Sequence, residues 1–249
     1  LTEGSDQIPG LVGSNGTTNN SKSDLILAGT SSEGGNVENT LGTGDNLNGG
    51  NGFDTLRTVD DAGGTTFTPT TQSVERFDFQ ATSGSASTIN MINTDGVGQT
   101  WNYRSTADVN YTNVQNPVIA GVFDSNTRNT LTYENGVDLG GEVNIAVDQA
   151  GGPSNPAQVV VNSDDAPNLT DLNVSVASDS YLEVDVDDGV NNTATAPFEN
   201  LNLVGAGGLE LREINPGSGE LDLLTTVDAT GLEGFLDLDL GNNDEDIDF

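Results

Sequence analysis

The clearest chemical signal in the sequence is a glycine-rich nonapeptide that carries one carboxylate. Residues 49–57 read GGNGFDTLR, a complete match to the pattern G-G-x-G-x-D-x-U-x, in which U is a large apolar residue. The glycines allow backbone turns that expose carbonyl oxygens, and Asp54 adds a formal negative charge. Leu56 is expected to begin a short strand and to point into the core. Stacked turns of this kind suit Ca²⁺, which prefers oxygen ligands at about 2.3–2.6 Å.

The same spacing recurs upstream of the nonapeptide. Asp45 stands nine residues before Asp54 and is also followed two positions later by a leucine, although the glycines around Asp45 are displaced from the pattern. Asp6 and Asp24 lie 18 residues apart, twice nine, and each is followed two positions later by an isoleucine. Two elements in register predict Ca²⁺ coordination near Asp45 and Asp54 rather than an ordinary glycine turn.

The charge balance and two missing residue types limit the remaining chemistry. The 249 residues include 39 Asp and Glu but only 6 Lys and Arg, which gives a net charge of -33. A nucleic-acid partner is excluded, because no basic stripe is available to release counterions from a phosphate backbone. The absence of His and Cys excludes a histidine base, a thiol nucleophile, the usual zinc sites and disulfides. The apolar runs are far shorter than the roughly 20 residues of a membrane-spanning helix, so direct membrane insertion is not expected.

The elements that must position these carboxylates are short strands. Apolar and polar residues alternate in several runs, including residues 74–79, 182–186, 198–203 and 236–240, and no long stretch has helical periodicity. The runs 74–79 and 198–203 also share one pattern, which indicates equivalent strands of a repeated unit. Turn signals at intervals of roughly 10 to 20 residues suit a β-solenoid or a β-sandwich. We therefore predict an all-β chain, divided into a glycine-rich segment 1–57 and a strand-rich body 58–249, with residues 60–64 as the boundary.

The opening of the chain resembles the RTX-type calcium-binding segments of bacterial surface-layer proteins and large secreted adhesins. The matching stretches are 1–8, 23–29 and 44–56, followed by a similar Val-Glu-x-apolar strand at 73–77 and a later similar element at 227–234. The resemblance implies a parallel β-solenoid or β-helix-like body, with a β-sandwich as the alternative, and secretion to the cell surface. It also implies the calcium-site positions Asp45, Asp54, Gly50, Asn51, Gly52, Asp6 and Asp24. The chain is expected to be a piece of a longer protein.

Two other groups of residues admit more than one interpretation. Glu183, Asp185 and Asp187 would share one strand face at intervals of about 7 Å, and Asp237 and Asp239 would share another. Each set would form either a solvated acidic face or a Ca²⁺ or Mg²⁺ bridge between chains. Three aromatic residues could form a small platform for a cell-surface polysaccharide, although packing is the expected role of their rings: Trp101, Tyr103 and Tyr111.

The function expected from these features is structural rather than enzymatic. The leading hypothesis is a Ca²⁺-stabilised, self-associating subunit of an extracellular surface layer, sheath or matrix filament. The alternative is a stalk or extender region of a large secreted adhesin. A third hypothesis is a calcium-dependent polysaccharide lyase or hydrolase on a β-helix, which could use Arg76, Arg104 or Arg128 as a base or a stabilising group.

Overall fold

The computed structural model describes residues 7–8, 23–33, 36–187, 198–214 and 221–240. These residues form a parallel β-solenoid of about seven turns. Helical structure in this described part is limited to one 3-10 turn, Ala166–Asn168. The predicted all-β, solenoid-like body is confirmed, and the β-sandwich alternative is wrong.

The strands, numbered in chain order, fall into three parallel sheets and one hairpin. The nine-stranded sheet contains β2 Leu25–Ala28, β6 Thr55–Asp60, β9 Arg76–Ala81, β12 Gln99–Tyr103, β14 Ile119–Phe123, β16 Glu142–Asp148, β18 Asp171–Val176, β20 Asn200–Gly205 and β22 Thr226–Leu232. The eight-stranded sheet contains β7 Thr66–Phe67, β10 Ser87–Asn90, β13 Val109–Val114, β15 Arg128–Tyr133, β17 Ala157–Asn162, β19 Ser180–Asp187, β21 Leu209–Glu213 and β23 Leu236–Asp239. The four-stranded sheet contains β1 Gln7–Ile8, β5 Asn46–Asn48, β8 Thr70–Gln72 and β11 Thr94–Asp95, and the hairpin is β3 Thr30–Glu33 with β4 Asn36–Asn39.

The coils change shape along the chain. From β5 to β13 each coil adds one strand to the four-stranded, the nine-stranded and the eight-stranded sheet in turn. From β14 onward the chain alternates between the nine-stranded and eight-stranded sheets only. Strand partners in neighbouring coils are 19 to 30 positions apart in the sequence, except for β1 and β5, whose partners are 39 positions apart. The loops therefore absorb the differences in coil length, while the strands stay in register.

The core is built from the inward-facing residues of each strand. In β6 alternate residues are buried, as expected where one face of a strand packs on a core and the other faces outward. Leu56 lies level with Phe77 in the next coil, and Val174 lies level with Leu203 further along the same sheet. All four side chains are buried, and burial of each contributes roughly 1.5–3 kcal/mol.

Polar side chains also stack from coil to coil on the outer face of the nine-stranded sheet. Asn144, Asn173 and Asn202 occupy the same register position in three successive coils. Asn202 Nδ2 donates to Asn173 Oδ1 at 2.8 Å, and Asn173 Nδ2 donates to Asn144 Oδ1 at 3.1 Å. An amide can both donate and accept, so each side chain satisfies its neighbour and pins the register of the coils.

A charged ladder performs the same role on the eight-stranded sheet. Arg128 Nε donates to Gln158 Oε1 at 2.9 Å, and Gln158 Nε2 donates to Glu183 Oε2 at 2.7 Å. Arg212 Nε, in the following coil, donates to Glu183 Oε1 at 2.8 Å. The Glu183 carboxylate is thus paired on both sides, and four successive coils are connected.

Asp60, at the end of β6, ties the hairpin to the solenoid. Its buried carboxylate accepts hydrogen bonds from Ser87 Oγ at 2.6 Å and Asn39 Nδ2 at 2.8 Å. The backbone N–H groups of Gly63 and Ala62 donate to it at 3.0 and 3.1 Å. Burial alone would raise the pKa of Asp60, but these hydrogen bonds stabilise the anion and hold its pKa below the ordinary value of 3.8.

Candidate metal centre

Three carboxylates line one edge of the nine-stranded sheet in successive coils. Asp24, Asp54 and Glu75 each immediately precede a strand, namely β2, β6 and β9. The first residues of these strands, Leu25, Thr55 and Arg76, pair with one another in register. The parallel register therefore places the three acidic residues one above another at the start of the strands.

Two of the three carboxylates, those of Asp54 and Glu75, accept a backbone N–H from the preceding coil. The Asp24 N–H donates to Asp54 Oδ1 at 2.7 Å, and the Asp54 N–H donates to Glu75 Oε2 at 2.6 Å. These short bonds to charged acceptors fix the orientation of both side chains. The charge of Glu75 therefore acts on the Asp54 carboxyl across one coil boundary.

The second oxygen of Asp54 is left without a partner. Asp54 is 0% exposed, and its buried Oδ2 accepts no hydrogen bond. Burial raises the pKa of the Asp54 carboxyl; the Asp24 N–H lowers it in part, and the charges of Glu75 and Asp24 raise it further. A buried anionic oxygen without a donor is costly, so this position favours either a proton or a cation.

The glycine turn of the nonapeptide packs directly against Asp54. Gly50 and Gly52 have φ of 94° and 133°, the region that glycine adopts without strain. Gly49 does not have a positive φ, but the Cβ of any other residue at this position would lie 2.7 Å from Asp54 Oδ2. Asn51 is exposed at the tip of the turn. The predicted turn is confirmed, as is the inward position of Leu56.

Asp45 lies in a different part of the coil. It precedes β5 of the four-stranded sheet, whereas Asp54 precedes β6 of the nine-stranded sheet. Its buried carboxylate accepts the Gly42 N–H at 2.8 Å, and Leu47 points into the core as predicted. The pairing of β1 with β5 matches Gln7 to Asn46; Asp6 itself lies outside the described residues.

The structure thus groups the predicted residues differently from the sequence. It brings Asp24 and Asp54 together and adds Glu75, which the sequence indicated only as part of a strand. No group of three or more acidic side chains within the described ranges forms a ready metal-binding cluster. An ion at Asp54 would therefore need backbone oxygens as well. The Ser73 carbonyl oxygen is one candidate, since it and Asp54 Oδ2 would lie 1.9 and 2.7 Å from a Cβ placed on Gly49.

The prediction that Glu183, Asp185 and Asp187 form a solvated acidic face on β19 is wrong in part. Asp185 and Asp187 are each only 8% exposed, so they do not form a solvated face. Glu183 is bridged by Gln158 and Arg212. Asp237 and Asp239 of β23, the second predicted acidic pair, are both exposed.

Tyr111 has the packing role expected of the three aromatic residues, because it is fully buried and its hydroxyl donates to the Trp101 carbonyl oxygen at 3.0 Å. The ring of Trp101 covers Gly121 on the outer face of the nine-stranded sheet. The Arg76 guanidinium carbon lies 4.2 Å from the Trp101 ring centroid. Packing is therefore the main role of Trp101.

Two arginines fix this layer through one buried carboxylate. Arg57 and Arg76 both form ion pairs with Asp78, at 2.7 and 2.5 Å. Arg57 also lies over the Tyr103 ring at 4.1 Å, and Tyr103 stacks on Phe123 with centroids 5.0 Å apart. Cation–π contacts of this kind stabilise by about 0.5–2 kcal/mol each.

No protein-family model matches the chain, and comparisons with curated proteins and with solved structures gave no match. The family resemblance therefore rests on the motif residues themselves. Within the described ranges, no helix is both long and apolar enough to cross a membrane.

Proposed function

We propose that this chain is a calcium-stabilised structural subunit of an extracellular assembly that associates with copies of itself. The observation that carries the proposal is the buried, unpartnered Oδ2 of Asp54, set against Glu75 at the glycine turn of the nonapeptide. A hard divalent cation would supply the missing partner and offset the repulsion between the two carboxylates. The proposed role is mechanical support rather than catalysis.

The charge of the whole chain supports a cation in preference to a proton. At a net charge of -33, ionised carboxylates repel one another across the molecule, and divalent cations reduce that repulsion. Within the described residues, no Lys or Arg side chain forms an ion pair with Asp54 or Glu75. Backbone carbonyl oxygens of the glycine turn would be suitable additional ligands for Ca²⁺.

The substitution Asp54→Asn distinguishes a protonated Asp54 from an ionised Asp54 that binds a cation. Asparagine imitates a protonated, neutral Asp54 and, because it carries no charge, is a weaker calcium ligand than a carboxylate. In the presence of EGTA the variant is expected to be at least as stable as the parent, because it removes a buried negative charge. In millimolar Ca²⁺ it is expected to be less stable, because ion binding to the native state adds stability that the variant lacks. Urea unfolding followed by circular dichroism measures both differences.

Asp95→Asn is the matched control. Asp95 is an exposed strand residue, so the control removes one negative charge without touching the coil boundary. Its stability should respond to Ca²⁺ as the parent does. Equal calcium responses in the parent and in Asp54→Asn would show that no ion binds at Asp54.

Self-association is tested by sedimentation velocity in Ca²⁺ and in EGTA. A lattice or filament subunit is expected to form large species in millimolar Ca²⁺, partly because the exposed Asp237 and Asp239 then approach other chains with less repulsion. The stalk of a large adhesin is favoured by a different observation: coils stacked in register produce an elongated rod. A chain that binds Ca²⁺ through Asp54 but remains monomeric would fit the stalk and exclude the assembly subunit.

A further inference from the structure

An open groove of about 490 Å³ follows three stacked turns on one side of the solenoid. The turns come directly after β12, β14 and β16, where the chain leaves the nine-stranded sheet. The groove is lined only by polar residues and glycine: Arg104, Ser105, Thr106, Asp124, Ser125, Asn126, Gln149 and Gly151. It lies on different strand ends from the Asp54 site and is independent of the proposed calcium role.

The three turns hold non-glycine residues in the left-handed backbone region. Arg104, Asp124 and Gln149 have φ of 52°, 47° and 54°. Glycine would adopt this conformation without strain, whereas other residues cost of order 1–3 kcal/mol in sparsely populated backbone regions. Three successive coils thus retain side chains at positions where the turn alone would favour glycine, and all three side chains border the groove.

The side chains offer both donors and acceptors at the groove surface. Asn126 and Gln149 are exposed, and within the described part of the chain their amides form no side-chain hydrogen bond. Arg104 Nε pairs with Asp124 Oδ2 at 3.1 Å, which leaves guanidinium N–H groups and a carboxylate oxygen for other partners. The floor is closed by Ser125, whose hydroxyl is already bonded to the Ser105 carbonyl oxygen at 3.1 Å.

The charge of the groove selects the class of ligand. Its single cation and single anion, Arg104 and Asp124, cancel, while the protein as a whole carries a charge of -33. A polyanion would be repelled by the surrounding field, and a cation finds no net negative charge in the groove itself. A polyhydroxylated neutral molecule suits a mixed set of donors and acceptors, since each hydroxyl group both donates and accepts. The Arg104 guanidinium carbon lies 5.3 Å from the ring centroid of Phe123, which stacks on Tyr103, and this contact helps to fix the position of Arg104.

We propose that this groove binds a neutral polysaccharide. The long axis of the groove follows the coil stack, so an extended sugar chain would cross the three turns in sequence. The amides of Asn126 and Gln149 and the Arg104–Asp124 pair contact its hydroxyl groups. For a surface protein, this gives a direct means of attachment to a cell-surface glycan.

Affinity electrophoresis in millimolar Ca²⁺ tests the proposal with three neutral probes, dextran, mannan and laminarin, and with alginate as an acidic probe. At least one neutral polysaccharide is expected to retard the parent protein, and alginate is not. Asn126→Ala and Gln149→Ala are each expected to raise the Kd by about two- to tenfold, the range of one hydrogen bond. The double variant is expected to lose retardation.

Asn116→Ala is the matched control, because Asn116 is also an exposed loop asparagine but lies outside the groove lining. It should bind as the parent does, and all variants should keep the parent's thermal unfolding midpoint. The proposal is overturned if no neutral probe retards the protein, if retardation survives the double variant, or if only alginate binds. Loss of self-association in the double variant, without any glycan binding, would assign the groove to a second copy of this chain.

Discussion

Replacing Gly49 by alanine tests how closely neighbouring coils approach at the glycine turn. A Cβ at Gly49 would lie 1.9 Å from the Ser73 carbonyl oxygen and 2.8 Å from Asp54 Cβ, closer than real Cβ atoms approach other atoms. Because the Ser73 oxygen belongs to the backbone, a rotation of a side chain cannot relieve the overlap. The Gly49 N–H also donates to the Gln72 carbonyl oxygen at 3.0 Å, so movement of Gly49 weakens this contact between coils.

The expected loss in the free energy of unfolding is about 2–4 kcal/mol. Overpacking a close-packed site costs about 1–3 kcal/mol, and a lost backbone hydrogen bond adds about 1 kcal/mol. Gly49 does not have a positive φ, so the loss is steric rather than conformational. Gly29→Ala is the control, because a Cβ at Gly29 has no atom within 4 Å. Where the backbone is compatible, such a change stabilises by about 0.4–1 kcal/mol through the unfolded chain.

Urea unfolding of the two variants and the parent, followed by circular dichroism at a fixed Ca²⁺ concentration, measures the difference. Calcium titration of the same proteins shows whether displacement of Asp54 also weakens ion binding. If Gly49→Ala unfolds at the same urea concentration as Gly29→Ala, the two coils do not approach each other as the structure shows.

Three further predictions concern other parts of the solenoid. Asp60→Asn should lower the free energy of unfolding by about 1–3 kcal/mol at neutral pH. Because the pKa of Asp60 in the folded protein is below 3.8, the difference from the parent should persist above pH 3.8 and shrink as the pH falls through the folded pKa. Measuring the unfolding free energy as a function of pH tests this. Gly121→Ala should displace Trp101, whose nearest ring atom would lie 2.1 Å from the new Cβ, and should shift the fluorescence of this single tryptophan; an unchanged spectrum would contradict the ring position. Tyr111→Phe should cost about 1 kcal/mol by removing the hydroxyl bond to the Trp101 carbonyl. Burial raises the pKa of Tyr111 well above 10.0 and that of Tyr133 to about 12, so ultraviolet titration should find two tyrosines that ionise late in the parent and only one in Tyr111→Phe.

Local patterns in the sequence predict much of this fold. The Asp-x-apolar elements place Leu47 and Leu56 correctly, because a strand alternates its side chains with a period of two and the turn fixes where it starts. The related runs 74–79 and 198–203 both contribute to strands of the nine-stranded sheet, β9 and β20. These features depend on residues that are near one another in the chain.

Contacts between coils could not be predicted in the same way. Glu75 meets Asp54 across 21 residues, whereas the asparagine ladder spans 29 residues for each coil. The separation depends on loop length, which varies from coil to coil and follows no period in the sequence. The burial of Asp185 could not be predicted for the same reason: alternation shows on which strand face Asp185 lies, but not which part of another coil covers that face.

The direction of the hydrogen bonds gives the solenoid a definite response to tension. Bonds between parallel strands of neighbouring coils point along the stack, so a pull along the axis loads all the bonds of one coil boundary at once. A terminal coil that gives way releases its entire loop and strands together. For a coil of 29 residues, the released contour is about 100 Å. A molecule stretched from its ends should therefore lengthen in discrete steps, and the unequal coils should give steps of unequal size in the order in which they detach.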